Sequence, residues 1–242
     1  MQNLFKPLVI VPTYNEAENI SLIVPEILRA NPDVDVLVVD DNSPDGTGNK
    51  VLDMKVAFAA KLHLLSRPGK QGLGKAYIAG FKWGISNGYS HLIEMDADFS
   101  HRPLDLQKIV ATLKSSHPQA DVVVGSRYIS GGSTVNWGLL RKVISRGGGI
   151  YATIILGYLL RDWTGGFNGW RKEVLEKINL DGVKSEGYSF QIELKFKALR
   201  HQFQVVEVPI IFEDRRIGQS KMSLKIVLEA FWRVWKMKFT AS

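Results

Sequence analysis

The sequence contains no cysteine. A disulfide scaffold, a zinc–thiolate site, an iron–sulfur cluster and a thiol nucleophile are excluded together. Long apolar runs are missing as well. No stretch reaches the roughly 18 consecutive apolar residues that a bilayer-spanning helix needs. Near the N-terminus only Leu8–Val11 is apolar, after the short polar segment Met1–Pro7, so no secretory signal is expected. Internal repeats, low-complexity tracts and domain linkers are absent. Histidine is sparse, with five residues scattered along the chain, and no Ser-His-Asp arrangement stands out.

What is present suits one α/β domain. Of 242 residues 45% are apolar and 23% charged, enough for a core and too apolar for wholesale disorder. Lys and Arg (31) exceed Asp and Glu (24), giving +7. Between Asp214 and Ser242, seven cations (Arg215, Arg216, Lys221, Lys225, Arg233, Lys236, Lys238) face Asp214 and Glu229, so 7 − 2 = +5 of the excess sits there. A basic tail points to an anionic partner: phosphate, anionic lipid or nucleic acid.

The first half alternates short apolar runs with helical patterns. Leu8–Val11, Val34–Val39, Leu62–Leu65, His91–Met95 and Val122–Ser126 read as strands. A helix is expected to about Ala30, with Asn15 as cap and Glu18 closing a capping box. Others are expected from about Gly74 to Asn87 and from Pro103. Short buried strands between helices predict a mostly parallel sheet covered on both faces. In the second half, Gly147-Gly148-Gly149 reads as a helix start, Ile150–Leu160 as a core or interfacial helix, and Val205–Phe212 as a late strand. Leu224–Phe239 reads as an amphipathic terminal helix. Lys225, Glu229, Arg233 and Lys236 lie along one stripe, and Leu224, Val227, Leu228, Phe231 and Trp235 occupy the other.

Ligands of open parallel sheets bind beyond the carboxyl ends of the strands. Those ends are followed here by Pro12-Thr13-Tyr14-Asn15-Glu16, by Asp40-Asp41-Asn42-Ser43, by Asp96-Ala97-Asp98 and by Arg127. Two carboxylates one residue apart after a buried strand can hold a hard divalent cation through oxygen; a pair of solvated acids is the plainer reading. Gly69–Ala76 has the glycine spacing of a phosphate loop. It ends in Ala76 where a hydroxyl would be needed, and Tyr77 stands where a dinucleotide fingerprint needs glycine. It is better read as a glycine-rich loop before a helix. Asp214–Lys221 is either a solvated loop or a cationic flap over a diphosphate. His101 is either a site residue or a bystander.

In order and spacing these segments resemble inverting glycosyltransferases of the GT-A fold, and among them the dolichyl-phosphate (polyprenyl-phosphate) mannose synthase family. The likeness rests on Val11–Glu16, Val38–Thr47, Met95–Asp98, Gly125–Tyr128, Asn136-Trp137, Arg141-Lys142, Ser145-Arg146-Gly147, Gly187–Glu193, Val208-Pro209-Ile210 and Gly218–Lys221, and spans nearly the whole chain. It implies an α/β GT-A catalytic domain over residues 1–213, with a cationic loop and interfacial helix over 214–242. It implies transfer of mannose from GDP-mannose to polyprenyl or dolichyl phosphate with Mg2+ or Mn2+. The donor contacts it implies are Pro12, Tyr14, Glu16, Val39, Asp41, Asp96, Ala97, Asp98, Arg127, Arg215 and Lys221. The metal falls on Asp98 and on Ser100, where some relatives carry glutamine, with Asp96 beside them. Asp96, Asp98 and Arg127 are the expected catalytic groups, and Arg141 a further substrate contact.

The chemistry agrees with those residue types. Charge accumulates on the departing diphosphate, which a cation and arginines can stabilise. A phosphate monoester, with a second pKa near ~6, is already an anionic nucleophile, so no strong base is needed. Arg127, Arg141 and Arg146 can offset its repulsion from the donor. The expected setting is peripheral, on the cytoplasmic face of a membrane, either unaided or through a separate membrane-anchoring subunit. Other readings are a UDP-glucose-dependent polyprenyl-phosphate glucosyltransferase and a non-catalytic nucleotide-sugar binding module. Nucleic acid is not an expected partner, because no motif of that kind is present.

Overall fold

The computed structural model describes residues 5–58, 60–115, 119–183, 185, 187–214 and 232–239, with Tyr188 described by its backbone alone. Apolar runs buried on both faces become the strands. β1 (Pro7–Thr13), β2 (Asp35–Asp40), β3 (Leu62–Ser66), β4 (His91–Glu94) and β5 (Val122–Ser126) alternate with α1 (Ala17–Ala30), α2 (Thr47–Phe58), α3 (Leu73–Ser86) and α4 (Pro103–Lys114). The second half adds β6 (Ser133–Val135), α5 (Leu139–Leu156), β7 (Asn168–Arg171), α6 (Lys172–Lys177), α7 (Tyr188–Arg200), β8 (Val205–Pro209) and β9 (Ile211–Glu213). The main sheet has seven strands in the order β3-β2-β1-β4-β7-β5-β8. β7 runs antiparallel to both its neighbours and the other pairs are parallel. β6 and β9 form a separate parallel pair. The α/β class and the mostly parallel sheet expected from sequence are both present.

Alternate residues of each strand serve two cores. Leu8, Ile10, Leu37 and Val39 face α3, α5, α6 and α7. Val9, Val11, Val36 and Val38 face α1, α2 and α4. Contact with α3 is close because Gly80 lies over the strands: a β-carbon there would sit 2.5 Å from Ile10 Cγ2.

Several local expectations are corrected. Asn15 does not cap α1 with Glu18; it adopts φ +61° and the helix starts at Ala17. The cap comes from the turn after β2. The amides of Asn15, Glu16 and Ala17 donate to Ser43 Oγ, Thr47 Oγ1 and Asp45 Oδ2, each at 3.0 Å. Burial of Asp45 opposes ionisation, but bonds from Thr47 and Ala17 outweigh it and lower its pKa. The triple glycine is not a helix start. α5 begins at Leu139 and carries all three within it, ending where Gly157 takes φ +81°. The late strand breaks at Ile210 into β8 and β9, which join different sheets. Of the terminal helix, 232–239 is described and helical. Val234 and Met237 are its buried side, while Trp232 and Phe239 are exposed.

Candidate functional site

The topology puts the carboxyl ends of β1, β2, β4 and β5 along one edge. In the β1–β2 register Pro12 stands beside Val39 and Thr13 beside Asp40. Thr13 Oγ1 donates to Asp40 Oδ1 at 2.9 Å, and Ser43 Oγ donates to the same oxygen at 2.6 Å. Asp40 therefore organises the turn. Asp41, also buried, accepts from Arg67 Nη1 at 2.8 Å and from the Gln71 amide at 3.4 Å. The glycine-rich loop thus belongs to the rim, and its Lys70 ammonium lies 4.2 Å from the centre of the Tyr14 ring. Tyr14 is half-exposed beside it. Glu16 leads into α1 and accepts from Asn19 Nδ2 at 2.7 Å.

The acid loop after β4 is held from both sides. Tyr77 of α3, fully buried, donates to Asp96 Oδ1 at 2.9 Å. Burial first, then the Asp96 charge, pushes its phenol well above the usual tyrosine range. His101 Nδ1 accepts from the Asp96 amide at 3.1 Å. In the neutral ring the proton is therefore on Nε2. Burial lowers the His101 pKa, against the pull of Asp96 and Asp98. Its ring stacks on Phe167 at 4.7 Å and meets Phe212 edge-on.

Phe99, buried, takes φ +62° and turns the loop back. The Ser100 amide then donates to Asp98 Oδ1 at 3.1 Å. The Ser100 hydroxyl is buried with no hydrogen-bond partner among the described residues. A polar atom left so is costly unless a ligand satisfies it. Among the described residues no group of three or more His, Cys, Asp and Glu could hold a metal ion. The acid loop offers two carboxylates and this hydroxyl, an all-oxygen set open to a hard cation completed by ligand oxygens.

Arg127 is placed differently from the open rim cation expected. Its Nε and Nη2 donate to the two oxygens of Asp162, both at 2.7 Å. Its amide reaches Asp162 at 3.0 Å and Nη2 also reaches Thr164 Oγ1 at 2.9 Å. Asp162 is fully buried, and Arg127 and Lys195 lower its pKa against the burial that would raise it. Rings of Tyr128, Trp137 and Phe212 each lie 5.3–5.4 Å from the guanidinium carbon. Arg141, in the first turn of α5, pairs with Asp214 at 2.8 Å and stacks over Trp137 at 4.0 Å. Among the described residues, Trp137 Nε1 and Arg141 Nε are buried donors with no partner. Phe212 touches both His101 and Trp137, so this basic pocket adjoins the acid loop. Arg146 is exposed on α5. Arg215 and Lys221 lie outside the described residues.

Sequence reasoning missed Tyr77, Arg67, Asp162 and a fully buried layer behind the site. In that layer Glu94 accepts from Asn168, Trp170 and Gln191, and Lys195 donates to three carbonyls. Burial pushes Glu94 up to about 7 and Lys195 down to about 8. Apart from Gln191, which lies in the Gly187–Glu193 segment, none of these residues sits in a motif segment singled out above, and their partners lie in distant elements.

Comparison with known proteins bears on the family and the fold. The model of glycosyl transferase family 2 matches residues 8–179. Polyprenol monophosphomannose synthase of Mycolicibacterium smegmatis is 47% identical over 229 residues, covering 95% of this chain and 85% of that one. Undecaprenyl-phosphate mannosyltransferase of Micrococcus luteus is 46% identical over 234 residues, covering 97% and 94%. Among solved structures, glucosyl-3-phosphoglycerate synthase of Mycobacterium tuberculosis, in complex with Mn2+, UDP and product, superposes with a TM-score of 0.67. The identity there is 17%, over 96% of this chain and 78% of that one. A second complex of that enzyme, with Mg2+ and UDP, gives 0.67 at 16% identity over 96% and 79%. The chain therefore belongs to glycosyl transferase family 2 and is a glycosyltransferase of the GT-A fold.

Proposed function

We propose that this enzyme transfers mannose from GDP-mannose to polyprenyl or dolichyl phosphate, with inversion, giving the β-linked lipid phosphate mannose. The acid loop carries the reading: it stands at the carboxyl end of β4, braced by Tyr77 and His101, with an unsatisfied Ser100 hydroxyl. The names of relatives 46–47% identical over most of the chain support mannose and a polyprenyl phosphate.

In this reading Pro12, Tyr14, Glu16, Val39, Asp41 and Ala97 line the donor site. Asp96, Asp98 and Ser100 suit Mg2+ or Mn2+, which when bound supplies positive charge against the diphosphate leaving group. Arg215 and Lys221 add charge there. The acceptor phosphate, largely dianionic at neutral pH, needs cations more than a base. Arg141 offers a buried donor that lacks a partner among the described residues, and Trp137 a second. Arg127 contributes from a fixed position, since Asp162 and Thr164 immobilise it. Attack opposite the leaving group on an α-linked donor gives the β product.

Among the described residues no helix is long and apolar enough to cross a membrane. We place the enzyme peripherally, on the cytoplasmic face. On α5, Leu139, Leu140, Val143, Ile150 and Ile154 are exposed, as are Trp232 and Phe239 of the terminal helix. Tyr151 of α5 and Trp235 of the terminal helix lie against each other. Such apolar and aromatic surface beside basic residues suits a lipid interface. Residues 214–242 then act as the attachment segment of the catalytic domain.

The test is incorporation of radiolabelled mannose from GDP-mannose into an organic-extractable phospholipid, dependent on Mg2+ or Mn2+. Label entering from UDP-glucose and not from GDP-mannose would replace the donor assignment.

A further inference from the structure

Lys195 has no part in the reading above, yet it is one of the largest fully buried side chains of the protein. Its ammonium donates to the carbonyl oxygens of Asp162, Trp163 and Gly165 at 3.0, 3.1 and 2.8 Å. All three N–H donors are thereby used, and all three acceptors belong to one four-residue stretch. Burying an ammonium costs several kcal/mol, so a lysine that serves only to fill volume would be better replaced by Met or Leu. The charge has a local use here.

That stretch is the grip on Arg127. Asp162 holds the guanidinium through both oxygens, and Thr164 holds it through Oγ1. The next residues, Gly165 and Gly166, bring no side chain to pack the loop into place. The Gly165 amide donates to Asp162 Oδ1 at 2.9 Å, which ties the loop to itself. Other elements hold its backbone and Trp163: the Asp162 amide donates to Glu207 Oε1 at 2.9 Å, Trp163 Nε1 to Thr153 Oγ1 at 2.9 Å, and Asn168 Nδ2 to the Gly165 carbonyl at 3.1 Å. Lys195 ties it to α7. One turn earlier on α7, Gln191 donates to Glu94 Oε1 at 2.8 Å and accepts from Asn168 at 2.8 Å. Positions four apart on a helix share a face, so α7 presses two polar side chains against the strands under the site.

We infer that Lys195 is a positioning residue for transfer: its ammonium clamps the 162–165 loop so that Asp162 and Thr164 hold Arg127 in the orientation that acts on the substrate phosphates. The inference rests on the role proposed for Arg127. A displacement of about 1 Å in a group remote from the reacting atoms can cost on the order of 10²-fold in rate. In the reading above Arg127 serves the acceptor phosphate, and the donor contacts of β1 and β2 do not pass through α7, so donor affinity stays.

The experiment measures kcat and the KM for GDP-mannose, with polyprenyl phosphate as acceptor, in Lys195→Met, Arg127→Gln and the double variant. Lys195→Met is expected to lose about 10²-fold in kcat with little change in KM, while its far-ultraviolet circular dichroism matches the parent. Adding Lys195→Met to Arg127→Gln is expected to cost little more, because both act at one point. If Lys195→Met does not fold, Lys195→Gln, which keeps two of the three donors, is read in the same cycle. An impaired Arg127→Gln beside a fully active Lys195 variant overturns the inference alone, as do losses that multiply in the double variant. A silent Arg127→Gln overturns the assignment of Arg127, and this inference with it.

Discussion

Replacing Tyr77 by Phe removes one oxygen from the core and one hydrogen bond from Asp96. The ring stays, stacked against Phe190 at 6.3 Å and Phe81 at 6.2 Å. Loss of packing is therefore small, and what is lost is the 2.9 Å bond to Asp96 Oδ1. A hydrogen bond to a charged group is worth about 1.5–3 kcal/mol. At 1.36 kcal/mol per factor of ten, that corresponds to about 10- to 150-fold if Asp96 must hold this orientation in the transition state. Asp96 is only partly buried, so water can replace the phenol in the ground state and the stability loss should sit near the low end. The expected outcome is a fall in kcat/KM of about 10- to 150-fold, with a shift in melting temperature of a few degrees at most. The Mg2+ or Mn2+ concentration for half-maximal transfer should also rise. Transfer assays across a metal titration, beside thermal denaturation, measure both. A Tyr77→Phe enzyme with parental turnover and an unmoved metal midpoint would refute the idea that this phenol sets the acid loop.

Asp98→Ala should abolish transfer while leaving the protein folded; turnover at the parental rate would remove the metal reading. Gly80→Ala forces a methyl to 2.5 Å from Ile10 Cγ2, so denaturant unfolding should show a loss of about 1–3 kcal/mol. Burial lowers His91 to about 4 from 6.5. Its contribution is complete above pH 6.5 and is lost as the pH falls toward 4, because the unfolded chain binds the proton first. The melting temperature should drop over that window and drop less in His91→Gln; equal pH dependence in the two would exclude His91 as the cause.

The positions along the rim were legible in the sequence because each piece follows a strand: Pro12 to Glu16, Asp40-Asp41, Asp96 to Asp98 and Arg127 need only the rule that ligands gather at carboxyl ends, whereas Ser100 was reached only through the family resemblance. Their supports were not. Asp162 lies 35 residues from Arg127, and the carbonyls on Lys195 lie 30 to 33 residues away, so no local spacing announces either bond. β7 went unseen because Asn-Gly-Trp-Arg has neither alternation nor a β-branched residue. The three glycines misplaced the start of α5, since each costs a helix about 1 kcal/mol relative to Ala. Packing decides otherwise: a β-carbon at Gly149 would stand 3.1 Å from the Arg161 carbonyl oxygen. Asn15 was read as a cap by residue type, whereas the helix end is closed by Asp45 from another loop.

That borrowed closure has a consequence for how the rim can change. Ser43, Asp45 and Thr47 fasten the segment bearing Tyr14 and Glu16 to the one bearing Asp41, so the two walls shift as a unit. A substitution at Asp45, which accepts from Ala17 of α1 and from Thr47, would reach both walls together. Lineages that retune this edge must keep the fastening or rebuild both sides at once.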